Sequence, residues 1–292
     1  MSDLAAFEAH RARLTRLAYR MLGSVSEAED VVQDAWLRWR RAQTQIIDDP
    51  AGWLVRTATR ICLDRMRAAR VRREAYRGPW LPEPLIEEMS EESLERAEAV
   101  SVAFLLALER LSPLERAVFL LHDVFGDDYG AIAEILGRNE AACRQLATRA
   151  RAHVREARPR FSVSQDEAAR LVAAFMAALQ KNDVAALKDV LAQDAVMISD
   201  GGGKRKAALR PMVGRDEIIT LLRGLAWRGS MSAANADAAF RFARINGWLG
   251  LIVELQDGLM TLAFEPGQDG RLAAIYLVRN PDKLMHVRGV AE

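Results

Sequence analysis

Apolar residues recur every three or four positions along the first 160 residues, which is the period of an amphipathic helix. Phe7, Leu14, Leu17 and Met21 form the first stripe, and Gly23 follows its end. Further helical patterns each begin at a residue that can cap a helix. These predicted caps are Ser26 (with Glu29 in a capping box), Asp49, Ser112 and Asn139.

The helical pattern stops between residues 77 and 94. The surrounding stretch, "YRGPWLPEPLIEEMSEESLE", holds three prolines, which disfavour helix, and many glutamates, which favour solvent. The sequence therefore predicts two helical domains, at residues 1–76 and 95–160, joined by a linker over 77–94.

The last part of the chain has a different pattern. Residues 164–192 predict two more helices, and apolar runs typical of strands follow from 195 onward. Three turn-forming pairs, Asn246-Gly247, Asp257-Gly258 and Asp269-Gly270, separate the final runs. We expect an α+β domain over 161–292 with a four-strand antiparallel meander.

Charge is segregated along the 292 residues, although the net charge is only +1. Residues 56–73 hold seven Arg and one Asp, 83–98 hold seven Glu and one Arg, and 138–160 hold seven Arg and two Glu. Basic blocks of this kind favour a polyanionic partner. The chain shows no apolar run of bilayer length and no signal core, which predicts a cytoplasmic protein whose two cysteines, Cys62 and Cys143, are reduced thiols.

A short helix, a glycine turn and a longer basic helix are predicted within "YGAIAEILGRNEAACRQLATRARAHV". This spacing is typical of a helix-turn-helix, although any two packed helices joined by a Gly turn share it. Arg and Gln side chains can pair with base edges in a major groove. The candidates on the outward face are Arg144, Gln145, Thr148 and Arg149.

A second basic helix is predicted after Asp49-Pro50, with Trp53, Leu54, Ala58 and Ile61 facing inward. Basic side chains beside a loop can follow a nucleic-acid backbone and hold an unstacked base. A solvated basic face is the alternative. The basic candidates are Arg56, Arg60, Arg67 and Arg70.

Residues 1–160 resemble an extracytoplasmic-function sigma factor of bacterial RNA polymerase. "SEAEDVVQDAWLRWRR", "DDPAGWLVRTATRICLDRMR" and the helix-turn-helix block resemble, in order, the segments that bind the polymerase clamp, the minus-ten element, and the flap with the minus-thirty-five element. The resemblance implies that core RNA polymerase (β′ clamp and β flap) and promoter DNA are partners. It implies clamp contacts by Asp30, Gln33, Asp34 and Trp36.

One position departs from that family. Many relatives carry Asn in the "R-N-x-x-x-D" run of the minus-ten helix, where "ATRICLD" places Arg60. The bases read at minus ten therefore do not follow from the resemblance.

The carboxy-terminal domain resembles a SnoaL-like domain, the cone-shaped α+β fold related to nuclear transport factor 2. One group of sigma factors carries such an extension with three short motifs, and it is thought to modulate the sigma factor in cis without a separate anti-sigma protein. The three motifs here are "WLPEP" (Trp80, Leu81, Pro82, Glu83, Pro84), "DGGGK" (Asp200, Gly201, Gly202, Gly203, Lys204) and "NPDKL" (Asn280, Pro281, Asp282, Lys283, Leu284). We expect the domain to clamp the linker, with Trp80 and Leu81 as anchors.

Two other classes of protein remain as alternatives. An enzyme fused to a DNA-binding module would need converging pocket acids, for which Asp194, Asp200, Asp237 and Glu254 are candidates. A helix-turn-helix repressor would need no polymerase-binding segment. The sequence favours a protein that is not an enzyme and has no metal or cofactor, while a pocket for an unidentified small ligand stays open.

"DGGGK" also differs from a phosphate-binding P-loop, because its glycines are too close together and Arg205 stands where Ser or Thr is required. We interpret it as a tight turn after a strand that contacts the other two motifs.

Overall fold

The computed structural model describes residues 3–42, 47–87, 100–157, 163–227 and 240–287. The chain divides into two compact units. The helical unit consists of Met1–Ala75 and Phe104–Arg158, and the sheet unit consists of Tyr76–Ala103 and Pro159–Glu292. Within the described residues, no helix is both long and apolar enough to cross a bilayer.

The first three helices supply much of the core of the helical unit. Phe7, Leu14 and Met21 of α1 are fully buried, as is Leu54 of α3. This apolar stripe is the one that the sequence predicts. The helices are α1 (Asp3–Leu22), α2 (Val25–Ala42) and α3 (Pro50–Glu74).

Four further helices follow in this part of the chain. Asp128 caps the second-last of them and Gly137 ends it in a left-handed conformation, with φ of 63°. The resulting pair, α6 and α7, confirms the predicted helix-turn-helix. The helices are α4 (Val102–Glu109), α5 (Pro113–Phe119, continued by a π-helical turn Leu120–Val124), α6 (Tyr129–Leu136) and α7 (Glu140–Ala157).

Three of the four predicted caps are confirmed. Asp49 accepts from the Gly52 amide at 3.0 Å, Ser112 forms a full capping box with Glu115, and Asn139 accepts from the Ala142 amide at 2.8 Å. The prediction for α2 is wrong by two residues. Ser24, rather than Ser26, accepts from the Glu27 amide at 3.0 Å, because the helix already begins at Val25.

The sheet unit combines three helices with strands in one sheet. Residues of the helices and of the strands together form its hydrophobic core, including Phe175, Phe264, Ile218 and Ile275. The helices are α8 (Gln165–Gln180), α9 (Val184–Val190) and α10 (Arg215–Trp227). The strands are β1 (Ile86–Glu87), β2 (Leu191–Asp200), β3 (Met212–Val213), β4 (Phe240–Ile245), β5 (Trp248–Leu255), β6 (Gly258–Pro266) and β7 (Leu272–Val278), and a 3₁₀ turn covers Pro281–Lys283.

The sheet is mixed, because it extends beyond the predicted four-strand meander. Strands β4 to β7 do form the predicted meander. Strand β2, however, pairs in parallel with β7. The order is β1-β4-β5-β6-β7-β2-β3. The parallel pair brings the ends of β2 and β7 together, so Asp200 lies opposite Val278.

The linker supplies one edge of this sheet. Ile86 and Glu87 pair with Ile245 and Arg244 of β4. Leu85 extends the pairing, because its carbonyl accepts from the Asn246 amide at 2.9 Å. Residues predicted as a solvated connection are therefore part of the folded sheet unit up to Glu87, while 88–94 lie outside the described residues.

Candidate functional site

The helix-turn-helix presents one polar face. Cys143, Ala147 and Ala150 of α7 are buried, and the residues between them are turned outward. Arg144 lies on this face 5.3 Å from the ring centroid of Tyr129, and its guanidinium binds Glu140 at 2.5 Å. The four predicted DNA-binding residues are all exposed: Arg144, Gln145, Thr148 and Arg149.

The basic residues of α3 do not form one continuous face. Arg60 and Arg67 are exposed, and Arg67 binds Asp64 at 2.9 Å. Arg56 is partly buried and binds Glu134 of α6 at 3.0 Å. The side chain of Arg70 lies outside the described residues. Arg60 and Arg67 are thus the accessible cations among the three that are described.

The predicted polymerase-contacting residues lie along α2. Asp30 and Gln33 are exposed, and Asp34 is partly exposed. Arg65 of α3 binds Asp30 at 3.3 Å and Asp34 at 2.9 Å. Trp36 packs on Phe7 with ring centroids 4.9 Å apart. The carboxylates are therefore held in place by an arginine while remaining open to solvent.

Polar contacts join α1 to α5 and to the turn before α6 within the helical unit. The buried Arg116 guanidinium of α5 donates to the carbonyl of Met21 at 2.6 Å and binds Glu109 at 2.7 Å. Burial lowers the pKa of Arg116 to about 9, which still leaves it charged at neutral pH. Arg13 of α1 also donates to both carboxylate oxygens of Asp127, at 2.6 and 2.8 Å.

A buried polar cluster in the sheet unit ties the linker to the end of β2. Asp200 has no exposed surface. Its Oδ1 accepts from the Tyr76 hydroxyl at 2.5 Å, and its Oδ2 accepts from the Leu81 amide at 2.9 Å and from Lys283 Nζ at 2.7 Å. We call this cluster the linker latch, defined by Tyr76, Leu81, Asp200, Asn280 and Lys283.

Lys283 is the centre of the linker latch. Besides Asp200, its Nζ donates to the Leu81 carbonyl at 2.5 Å. It lies 4.3 Å from the ring centroid of Trp80 and 4.9 Å from that of Tyr76, which are cation–π distances. Burial and the hydrogen bond to Asp200 raise the pKa of the Tyr76 hydroxyl, so it remains a donor to the carboxylate.

The other residues of the WLPEP and NPDKL motifs surround this centre. Leu81 has no exposed surface, and Pro82 to Pro84 are buried. Asn280 donates to the Tyr76 hydroxyl oxygen at 2.9 Å, and His286 Nε2 lies 2.8 Å from the Pro84 carbonyl oxygen. The structure thus brings the three motifs together, with Leu81 fully enclosed and Trp80 half-buried over Lys283.

The glycines of DGGGK allow this close approach. Gly202 and Gly203 have φ of 60° and 72°, which side-chain-bearing residues adopt at a cost of about 1–2 kcal/mol. A Cβ on Gly202 would lie 2.3 Å from Asn280 Nδ2, and one on Gly203 would lie 3.3 Å from Arg77 Cβ. One glycine therefore admits the NPDKL motif and the next admits the linker.

Replacement of Gly202 by alanine is expected to destabilise the sheet unit by about 1–2 kcal/mol or more, since it adds strain and displaces Asn280 from Tyr76. Denaturant unfolding measures the change. Gly224→Ala is the matched control, because Gly224 lies in α10 with open space around it, and alanine there is expected to stabilise by about 0.5–1 kcal/mol. Equal stability of Gly202→Ala and the native chain would contradict the close-approach argument.

A buried carboxylate of β6 binds the residues at the start of α4. Glu265 is 5% exposed, and it accepts hydrogen bonds from the Ala103 amide at 3.4 Å and from the Ser101 side chain. Burial raises the pKa of Glu265 to about 7. Glu265 lies outside the three motifs. The only sign of it in the sequence is an acidic residue within an apolar strand.

The raised pKa of Glu265 gives a pH dependence. The folded chain binds a proton that the unfolded chain releases above about pH 4.5, so stability is expected to fall as pH rises from about 4.5 to about 7, by roughly 3 kcal/mol in total. Glu265→Gln should remove this slope, whereas Glu167→Gln, at an exposed position of α8, should keep it. Urea unfolding across this pH range gives the slopes, and an unchanged slope in Glu265→Gln would refute the assignment.

The candidate pocket acids do not converge in the described residues. Asp200 belongs to the linker latch, Asp194 and Glu254 are exposed, and Asp237 lies outside the described residues. Lys204, expected at the same junction, binds Asp282 at 2.6 Å on the surface. The residues that the sequence did not identify are Tyr76, Leu85 and Asn246, which contribute hydrogen bonds from positions outside the motifs.

Comparison with known proteins identifies two sigma-70 regions in the helical part of the chain. Residues 6–72 match the model for Sigma-70 region 2, and residues 101–154 match that for Sigma-70, region 4. Over 96% of this chain and 93% of the relative, the sequence is 36% identical to the ECF RNA polymerase sigma factor SigJ of Mycobacterium tuberculosis. It is 40% identical to the probable ECF sigma factor SigI of the same species over 64% of this chain and 66% of that one.

One solved structure matches the chain over almost its whole length. The crystal structure of Mycobacterium tuberculosis SigJ superposes with a TM-score of 0.79 at 33% identity, covering 97% of this chain and 98% of that one. A SnoaL-like protein from Burkholderia thailandensis covers 40% of this chain and 97% of its own, at 17% identity and a TM-score of 0.31. The chain has two sigma-70 regions followed by a carboxy-terminal sheet domain, and it matches SigJ over almost its whole length. It therefore belongs to the extracytoplasmic-function sigma factors of RNA polymerase.

Proposed function

We propose that this sigma factor binds core RNA polymerase through α2, reads promoter DNA through α3 and α7, and is modulated in cis by its carboxy-terminal domain. The linker latch is the observation that carries the last part. The proposal assigns region 2 to residues 1–76, the linker to 77–94, region 4 to 95–160 and the regulatory domain to 161–292.

The proposed binding to polymerase is supported by the exposed acidic face of α2. Asp30, Gln33 and Asp34 offer two carboxylates and an amide on neighbouring turns, and Arg65 fixes the carboxylates without covering them. The side chains of Asp30 and Asp34 keep 64% and 45% of their exposure. Such a preordered acidic face suits a basic surface on the β′ clamp, and it loses little side-chain entropy on binding.

The DNA-binding part rests on the outward face of α7. Arg144 and Arg149 are long cations about one and a half helical turns apart, with Gln145 and Thr148 between them. Arg can bind guanine in a bidentate manner and Gln can bind adenine, while the remaining cations hold phosphates. On α3, Arg60 and Arg67 give the second basic surface, suited to the unstacked strand of the minus-ten element.

The regulatory part follows from where the linker lies. The linker belongs to the sheet unit together with the residues that flank it, over Tyr76–Ala103, at both described ends of that segment. The linker latch holds the first end, and the contacts of Ser101 and Ala103 with Glu265 hold the second. A domain that grips the connection between two DNA-reading regions can set their separation. No separate anti-sigma protein is required for such control.

Transcription with purified core polymerase tests the proposal. The full chain is expected to start transcription at its promoter, and Arg144→Ala with Arg149→Ala should lower promoter affinity by about 1–3 kcal/mol for each lost base contact. Arg110→Ala, an exposed arginine of the same region outside α7, is the control. A chain limited to residues 1–160 should initiate at a different level from the full chain.

The outcomes separate the parts of the proposal. Absence of promoter-dependent initiation by both the full and the shortened chain would refute the sigma activity. Equal initiation by both would leave the sigma activity standing and refute modulation in cis.

A further inference from the structure

A cleft of about 360 Å³ lies beside the linker latch in the sheet unit. Arg77 and Gly78 of the linker form one wall, and residues between Ser199 and Leu209 form the other. Its volume is at the lower end of the range for small-molecule sites. The cleft lies outside the apolar core of the domain, which Phe175 and Phe264 help to fill.

The charge in this cleft has one sign. Four cationic side chains line it, from Arg77, Lys204, Arg205 and Lys206, and no carboxylate is among the lining residues. Asp282 neutralises Lys204 from outside. Among the described residues, the other three cations have no acidic partner within ion-pair distance. Three uncompensated charges around one small cleft favour a ligand with at least two negative charges.

The loop that carries these cations is held rigidly. Arg279 donates to the Lys206 carbonyl at 3.0 Å, and the Lys204 and Arg205 amides both donate to the Gly201 carbonyl at 3.0 Å. Gly203 packs directly on the stem of Arg77. The two walls therefore meet without an intervening side chain, and an anion can contact cations of both.

The rest of the lining is apolar. Ala207, Ala208 and Leu209 follow the cations, and the Leu209 side chain lies beside Gly78. Leu209 is 66% exposed, so its side chain offers an apolar surface beside the cations. A charged end and an apolar end suit a phosphorylated small molecule whose organic part lies on Leu209.

We propose that this cleft binds a phosphorylated small molecule carrying a diphosphate or an equivalent dianion. Arg77, Arg205 and Lys206 contact the phosphates, unlike the P-loop arrangement, since α10 begins only at Arg215. By joining Arg77 of the linker to the loop after Asp200, the ligand stabilises the linker latch, and by linkage the closed latch favours the ligand. Binding itself does not depend on the proposed function, whereas any effect on transcription does.

Hydrogen–deuterium exchange of the full chain, without polymerase, tests the proposal. Inorganic pyrophosphate and ADP are the probes at millimolar concentration. Each is expected to slow exchange in peptides covering 76–87 and 200–210. Tighter binding of ADP would assign the site to an organic diphosphate, and equal binding would assign it to the phosphate groups alone.

Variants locate the site. Arg205→Ala with Lys206→Ala should weaken binding at least tenfold, and Arg77→Ala should do so alone. Little stability should be lost, because these exposed side chains have no ion pair or side-chain hydrogen bond among the described residues. Arg223→Ala, an exposed arginine of α10, should leave binding unchanged. The proposal is overturned if neither probe protects these peptides, if the Arg205/Lys206 variant is protected equally, or if only duplex DNA protects them.

Discussion

Replacement of Lys283 by methionine is expected to destabilise the sheet unit by about 3–5 kcal/mol. Methionine keeps the apolar stem but removes the only cation that binds Asp200 within the described residues. The carboxylate, which has no exposed surface, would then be buried without an opposite charge. Leu81 also loses the donor to its carbonyl, so the linker is expected to become sensitive to protease between residues 76 and 87.

Lys204→Met is the matched control for this experiment. Lys204 binds a carboxylate at a similar distance, 2.6 Å from Asp282, but these two side chains are 55% and 58% exposed. Exposed pairs contribute only about 0–1 kcal/mol. Two lysines from neighbouring motifs with nearly equal ion-pair lengths are thus expected to differ severalfold in effect, because only one is buried.

A double variant separates the charge from the packing. Asp200→Asn with Lys283→Met removes both buried charges, and the loss should be smaller than the sum of the two single losses. Thermal and urea unfolding of the four proteins give the coupling energy. Additive losses, or a Lys283→Met chain as stable as Lys204→Met, would show that the linker latch is not held by this pair.

The sequence predicts the association of the three motifs but not its chemistry. Proline-stiffened "WLPEP" and Gly-rich "DGGGK" indicate a docking segment and a close turn, and both are found. The partner of Asp200 could not be identified, since Lys204, Arg205, Lys206 and Lys283 are equivalent in sequence. Only the parallel pairing of β2 with β7, between strands about 80 positions apart, places Lys283 rather than Lys204 beside it.

A local sequence pattern also cannot decide between two equivalent candidates for the same structural role. Ser24 and Ser26 both precede a glutamate by three residues, and the cap chosen depends on how α1 ends at Gly23. The linker edge strand is a second case. Ile86 and Glu87 lie in a glutamate-rich run without strand alternation, and they pair because β4 offers them an open edge. Tertiary partners, absent from a local pattern, decide both.

A cross-link between cysteines introduced as Arg13→Cys and Asp127→Cys is expected to lower promoter-dependent initiation, the proposed sigma activity, at least tenfold. In the helical unit these side chains form a two-oxygen contact between α1 and the turn before the helix-turn-helix. A short bis-maleimide would lock them together. Neither residue belongs to the surfaces proposed for polymerase or DNA, so the unlinked variant should initiate at least as well as the native chain.

Distance is the reason for this expectation. Promoter elements centred near minus ten and minus thirty-five are roughly 25 base pairs apart, or about 85 Å along B-DNA. Here α3 touches α6 of the helix-turn-helix through Arg56 and Glu134 at 3.0 Å, and α7 with its 18 residues is only about 27 Å long. The helices proposed to read the two elements lie close together in this arrangement, so we expect regions 2 and 4 to separate if both read the promoter as proposed.

The native thiols do not interfere with the cross-link. Cys62 and Cys143 are buried, and burial raises the pKa of Cys62 to about 12 and also raises that of Cys143, which keeps both as unreactive thiols. Single-cysteine chains treated with the same reagent control for simple modification. The cross-link keeps Arg13→Cys and Asp127→Cys in the contact that the compact arrangement shows. A linked chain that initiates as fast as the unlinked one would mean that regions 2 and 4 need not separate at this contact to use a promoter.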